Sequence, residues 1–168
     1  MGKRDVLQYP DPHLRVPSAP VSQFDAALYS LVDDLTETFL AGPGIGLSAP
    51  QIGAARQVVV IDESESRTET CVFINPRIVD RKGICLVEER CLSVPDFAGV
   101  VRRSPEITVV ADDVHGNRAK HELSGMTAVC MQHEIDHLNG TLFVDRLFWW
   151  RRLWFQHTTR RRRTSAHV

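Results

Sequence analysis

"SGMTAVCMQHEIDHLNG", residues 124–140, decides how the rest of the chain is read. The stretch reads as a helix, with Gly140 placed to end it. On a helix, His133 and His137 stand four apart on one face, about 6 Å from each other along the axis. Two imidazoles so placed can converge on one ion, each nitrogen about 2.0–2.1 Å from it. Glu134 completes the pattern H-E-x-x-H, in which the glutamate is the general acid/base beside the ion and not a ligand. A surface helix with two incidental histidines carries the same letters, so a third ligand has to decide between the readings.

Cys130 shares the histidine face, but seven residues span about 10.5 Å of helix axis. One ion cannot easily collect ligands from both ends of that span at bonds near 2 Å. Cys130, with Met126 and Val129, reads instead as an apolar floor beside the ion. Cys91, inside "EERCLSVP" (88–95), is the better third ligand, with Cys71 and Cys85 still open.

Working outward, Leu28, Leu31, Val32, Leu35 and Phe39 recur at helical spacing, with Ser22 as the candidate cap. "AGPGIG" (41–46) stops that helix. β-rich runs follow at "QVVVID" (57–62), "CVFINPRIV" (71–79), "EITVVAD" (106–112) and "AKHELS" (119–124), separated by turn signals. Helix, strands and helix in that order suggest an α+β domain with a helix packed against short sheets.

The chain has 168 residues, 43% hydrophobic and 24% charged, enough for one domain with a core. Its net charge of −1 conceals seven arginines and no acidic residue from Arg146 onward, so the remainder carries −8. The N-terminus has no apolar run of the secretory kind, and no stretch approaches the roughly 20 apolar residues of a membrane span. Four cysteines then read as free thiols in a reducing cytoplasm.

"GIGLSAPQ" (44–51), "ERCLS" (89–93) and "QHEIDH" (132–137) resemble, in order and spacing, the three signature motifs of the peptide deformylases. "VLQYPDPHLR" (6–15) and "VFINPRIV" (72–79) are similar to that family as well, so the likeness covers most of the chain. It implies short, mostly antiparallel sheets around a central metal-binding helix, with residues 1–146 as the catalytic domain and 147–168 as a basic, aromatic-rich helix and tail. It implies Cys91, His133 and His137 as ligands of one divalent ion, Fe(II) favoured and Zn(II) compatible with the same donors. The implied reaction removes the N-formyl group from the N-terminal methionine of nascent polypeptides and releases formate. Glu134 would move the proton, and the Gln51 side-chain amide and Leu92 backbone N–H would stabilise the oxyanion. Asp136 is a candidate to orient a histidine, against a solvated helix carboxylate.

The substrate peptide would bind as an added strand at Gly44, Ile45 and Gly46, with Glu89 and Arg90 beside the groove. A methionine pocket would use Ile45, Val87, Met126, Val129 and Cys130, residues that a plain core would equally use. The substrate itself, a nascent N-formylated polypeptide, is the expected partner, and no DNA partner is expected.

Two features depart from the family pattern. Its second motif reads E-G-C-L-S, and here Arg90 replaces the glycine. Glycine permits positive φ and close backbone approach, so a backbone that needs glycine there would impede substrate. The alternatives are an altered N-acyl or peptide preference, lost activity, or a non-catalytic module bound to the ribosome or RNA. The other departure is "RLFWWRRLWFQHTTRRRR" (146–163), which holds all three tryptophans. Its candidate roles are contact with RNA or the ribosome, a membrane interface, or a helix packed on the domain ahead of a disordered tail.

Overall fold

The structure, a computed structural model, describes residues 2–64 and 66–155. The expectations placed on 156–168, including the run of four arginines, lie outside the described residues.

Helix α1 spans Ala26–Ala41. Its cap is Asp25, whose carboxylate accepts from the N–H groups of Ala27 and Leu28. The expected cap, Ser22, lies three residues too early, although both residue types satisfy orphan N–H groups well. Four expected strands form: β2 (Val58–Ile61), β3 (Cys71–Lys82), β6 (Glu106–Asp112) and β7 (Arg118–Ser124). Three more were not read from the sequence: β1 (Gly46–Ser48), β4 (Cys85–Cys91) and β5 (Val94–Arg103). β4 and β5 carry charged letters on both faces, because part of their charge is buried, and so show no clean hydrophobic alternation.

β1, β2, β3, β6 and β7 form one antiparallel sheet in that order, and β4–β5 is a separate antiparallel hairpin. This is the α+β arrangement. Strand β2 is buried on both faces because a helix covers each one. Val58 and Val60 pack with Leu28, Leu35 and Phe39 of α1. Val59 and Ile61 face the opposite way and pack with Ala128, Met131 and Leu138 of α2 (Gly125–Leu138). Each such side chain contributes about 1.5–3 kcal/mol by leaving water. A third cluster of Leu14, Val94, Val101, Phe143 and Leu147 joins the hairpin to both ends of the chain.

Gly140 ends α2 with φ +68°. A Cβ there would stand 2.5 Å from the Arg15 carbonyl oxygen, so the N-terminal segment can cross only over glycine. After a 3₁₀ turn at Phe143–Arg146, residues 149–155 form a last helix, α3. Among the described residues no helix is long and apolar enough to cross a membrane.

Candidate metal centre and cleft

The hairpin brings the end of β4 against the middle of α2. His137 Nε2 lies 3.2 Å from His133 Nε2 and 3.2 Å from Cys91 Sγ, and all three side chains are buried. Among the described residues these form the group of donors fit for an ion, every pair within 4.8 Å. Two atoms bound at about 2.0–2.1 Å in a tetrahedral shell stand about 3.3 Å apart, so the observed separations fit one ion held between thiolate and two imidazoles.

His133 Nδ1 lies 2.9 Å from Glu89 Oε2. A carboxylate only accepts, so Nδ1 carries a proton, and Nε2 is the nitrogen turned towards His137 and the donor cluster. Burial would raise the Glu89 carboxyl, but hydrogen bonds from His133 and Arg103 prevail and hold it at about 2. Arg103 grips Glu89 through Nε at 2.7 Å and Nη2 at 3.0 Å, and it reaches Asp136 through Nη1 at 2.7 Å. Burial pushes the His137 imidazole down, which keeps it neutral as a ligand must be. Burial also raises the Cys130 thiol, so it stays protonated and apolar.

Glu134 is buried beside the two histidines, and its Oε2 has no protein hydrogen-bond partner among the described residues. Burial lifts its carboxyl above the ordinary range, against the opposing pull of His133 and Ser48. The Gln51 amide is oriented from both ends. Oε1 accepts from the Ser48 N–H and hydroxyl at 2.9 Å each, while Nε2 donates to Ser93 Oγ at 3.2 Å and points at Cys91 Sγ, 3.6 Å away.

These groups stand at the head of a cleft of about 460 Å³. One wall is Gly44, Ile45 and Gly46, the other is Glu88 to Leu92, and Met126, Val129 and Cys130 form the floor. Gly46 presses on that floor: a Cβ would stand 2.4 Å from Cys130 Sγ and 3.2 Å from Glu134 Oε1.

The polypeptide deformylase family model matches residues 3–152. The chain belongs to the polypeptide deformylase family. A peptide deformylase of Hahella chejuensis (strain KCTC 2396) is 48% identical over 148 residues, 88% of each chain. The crystal structure of a peptide deformylase from Legionella pneumophila superposes with a TM-score of 0.89 at 39% identity, over 99% of both chains. A Met-Ala-Ser-bound class I type b peptide deformylase from Acinetobacter baumannii gives 0.80 at 33% identity, over 86% of this chain and 98% of that one. Membership makes the chain a metal-dependent hydrolase.

Two expectations for the deformylase site, Asp136 and Val87, differ from the structure. Among the described residues Asp136 orients no histidine; its carboxylate accepts from Arg103 and Arg146. Glu89 does the orienting, so although it lines the cleft, its carboxylate is already engaged by His133 and Arg103. Val87 is not among the cleft-lining residues: it pairs with Val101 further along the hairpin, and the cleft wall begins at Glu88.

Arg90 is the last residue of β4 in regular register, with the ladder shifting between it and Cys91, and its φ is not positive. It pairs with Ala98, and the non-glycine residues with positive φ among those described are Arg67, Asn75 and Asp96. The backbone dihedral at 90 does not call for glycine. The guanidinium projects into solvent at the cleft rim, 3.4 Å from Glu88 Oε1. Residues the sequence reading missed are Arg103 and the cleft-lining Val94, Pro95 and Phe97. "PDF" and "VVRRS" carry no motif, and only the hairpin register brings them to the site.

Proposed function

We propose that Cys91, His133 and His137 hold one divalent ion, Fe(II) in the native protein, and that Glu134, Gln51 and Leu92 work beside it to remove the formyl group from the N-terminal methionine of nascent polypeptides. The observation that carries this is a three-donor cluster next to a buried carboxylate with an unengaged oxygen, at the head of a cleft. The activity is deformylation, within protein biosynthesis.

A bound ion supplies Lewis acidity, making water acidic enough to react near neutral pH. Thiolate and imidazole suit both Zn(II) and Fe(II). Glu134 Oε2 accepts the proton of the attacking water and returns it to the departing amine, and its raised affinity for protons suits that double duty. Gln51 Nε2 and the Leu92 N–H donate to the oxygen that gains charge. One such preset donor is worth about 2.7–4 kcal/mol in the transition state. Glu89 keeps the His133 ring turned towards the ion.

The peptide lies as an extended strand between β1 and β4, bonded through its main chain. Among the described residues β1 pairs only with β2 and β4 only with β5, so each has an unpaired edge, and residues of both line the cleft. The formylmethionine side chain enters the apolar part, between Ile45, Met126, Val129 and Phe97. The Acinetobacter baumannii relative, by its description, was bound to Met-Ala-Ser. Residues 1–146 carry this chemistry, in the cytoplasm, where the four cysteines stay free as they are in the structure.

The test is formate release from a formyl-Met-Ala-Ser peptide by protein loaded with Fe(II) and, separately, with Zn(II). Both forms should release formate, the Fe(II) form faster. Glu134→Gln should keep about one ion per chain and lose at least about 100-fold in kcat. A metal-replete Glu134→Gln protein with full turnover would remove the acid/base role, and a metal-replete parent that releases nothing would overturn the proposal.

A further inference from the structure

Helix α3 holds every tryptophan of the chain: Trp149, Trp150 and Trp154. Phe155 sets which side of the helix meets the body. It is buried, with its ring 4.8 Å from Phe97 and 5.4 Å from Tyr9 between centroids. At 3.6 residues per turn, Trp149, Leu153, Trp150 and Trp154 follow one another round the helix over an arc of about 140°, centred opposite Phe155. They are 71%, 58%, 52% and 55% exposed, and Phe148 just before the helix is 40% exposed. Arg151 and Arg152 lie about 60° beyond the two ends of the arc, on the sides that flank Phe155, and are exposed.

A water-soluble surface rarely leaves so many large apolar side chains side by side. The segment carries Arg151 and Arg152 and no acid, and of the seven arginines from Arg146 onward Arg146 is paired with Asp136. Tryptophan and arginine together suit the headgroup layer of a bilayer, where indoles lie half in hydrocarbon and guanidinium groups meet lipid phosphates. Nucleic acid would need open ring faces for its bases. Here Phe148 and Trp150 already stack on each other, centroids 5.0 Å apart and 8° from parallel, and Trp149 stands edge-on to Trp150. Leu153, in the middle of the arc, offers a base nothing to stack on.

We propose that residues 148–155 form a docking surface for an anionic lipid bilayer, with the Trp149–Trp154 arc laid into the headgroup layer and the long side chains of Arg151 and Arg152 reaching back from the flanks of the helix to the phosphates. The helix lies on the membrane and does not cross it. Phe97, which seats Phe155 and also touches Trp154, lines the substrate cleft. Docking therefore sets the cleft beside the bilayer surface.

Because all three tryptophans lie on α3, tryptophan fluorescence excited at the red edge, clear of Tyr9 and Tyr29, reports on this helix alone. Full-length protein should shift its emission to the blue and co-sediment with phosphatidylcholine vesicles containing about a third phosphatidylglycerol. Binding should be about tenfold or more weaker on pure phosphatidylcholine and should weaken as salt rises. Trp149→Ser/Leu153→Ser should lose at least about tenfold in vesicle affinity, with far-UV circular dichroism and formate release unchanged. Arg151→Gln/Arg152→Gln should weaken binding to the anionic vesicles only. The proposal is overturned by no shift on anionic vesicles, or by full binding in the Trp149→Ser/Leu153→Ser protein. A shift on RNA or ribosomes but not on vesicles also overturns it. So does a shift that follows protein concentration without lipid, which would make a second copy of the chain the occupant.

Discussion

Glu89 Oε2 and His133 Nδ1, 2.9 Å apart, join the β4–β5 hairpin to helix α2 at the ion site. That contact is one link in a buried chain of charge running from His133 through Glu89 and Arg103 to Asp136, with Arg146 closing the far end. Each carboxylate in the chain faces a cation, which is the condition for charge to be tolerated inside a fold.

Breaking that chain in the middle should be costly. Arg103→Met leaves Glu89 and Asp136 without their shared cation, and the expected loss is about 3–5 kcal/mol of stability by urea unfolding. Glu89→Gln is milder, because an amide oxygen can still accept from Nδ1. Ion affinity, measured by chelator competition, should fall about 10–100-fold. Unchanged affinity would mean that the His133 ring is held by packing alone.

The two buried cysteines of the site should behave differently. Cys91→Ala should strip the ion, whereas Cys130→Ala should retain about one per chain when assayed by atomic absorption, because its sulfur touches Gly46 and not the donor cluster. Equal ion loss in both would show that Cys130 takes part in coordination.

The φ of Arg90 is not positive, so restoring glycine should gain nothing in folding. Arg90→Gly is expected to cost about 0.5–1 kcal/mol through chain entropy and to leave kcat close to that of the parent. A rise of about tenfold in kcat/KM would instead show that the arginine side chain obstructs the groove.

Acid should loosen the N-terminus at Asp34. Hydrogen bonds from Arg4 at 2.6 and 2.9 Å, with the Gly2 N–H at 3.0 Å, outweigh burial and hold this carboxyl below its ordinary 3.8. A lowered carboxyl stabilises the fold fully above its unfolded value and loses that stabilisation as pH falls through the folded one. Asp34→Asn should therefore be less stable than the parent near neutrality, and the gap should close on the acid side of 3.8. A gap independent of pH would show that Asn replaces only a hydrogen bond and that the charge contributes nothing.

Local pattern carried much of this protein. Helix α2, the β6 boundaries at Glu106 and Asp112 and the pairing of His133 with His137 depend on neighbours within a few residues, and the period of the letters reports them directly. The three deformylase motifs were legible for the same reason. Even the expectation that Cys130 stays outside the ligand set needed only the rise of a helix, because seven residues separate it from His137.

What only the tertiary structure decided lies between segments far apart in the chain. Cys91 reaches His137 across 46 positions, and Arg103 reaches Asp136 across 33. The β4–β5 hairpin that makes both contacts carries buried charge where a sequence reading looks for apolar residues, so its strands had no visible period. The choice of Glu89 over Asp136 to orient a histidine was likewise settled by which carboxylate the hairpin register sets beside Nδ1. A residue's letters state what it can bond to; only the folded chain states what is within reach, because hydrogen bonds and ion contacts act over about 3 Å.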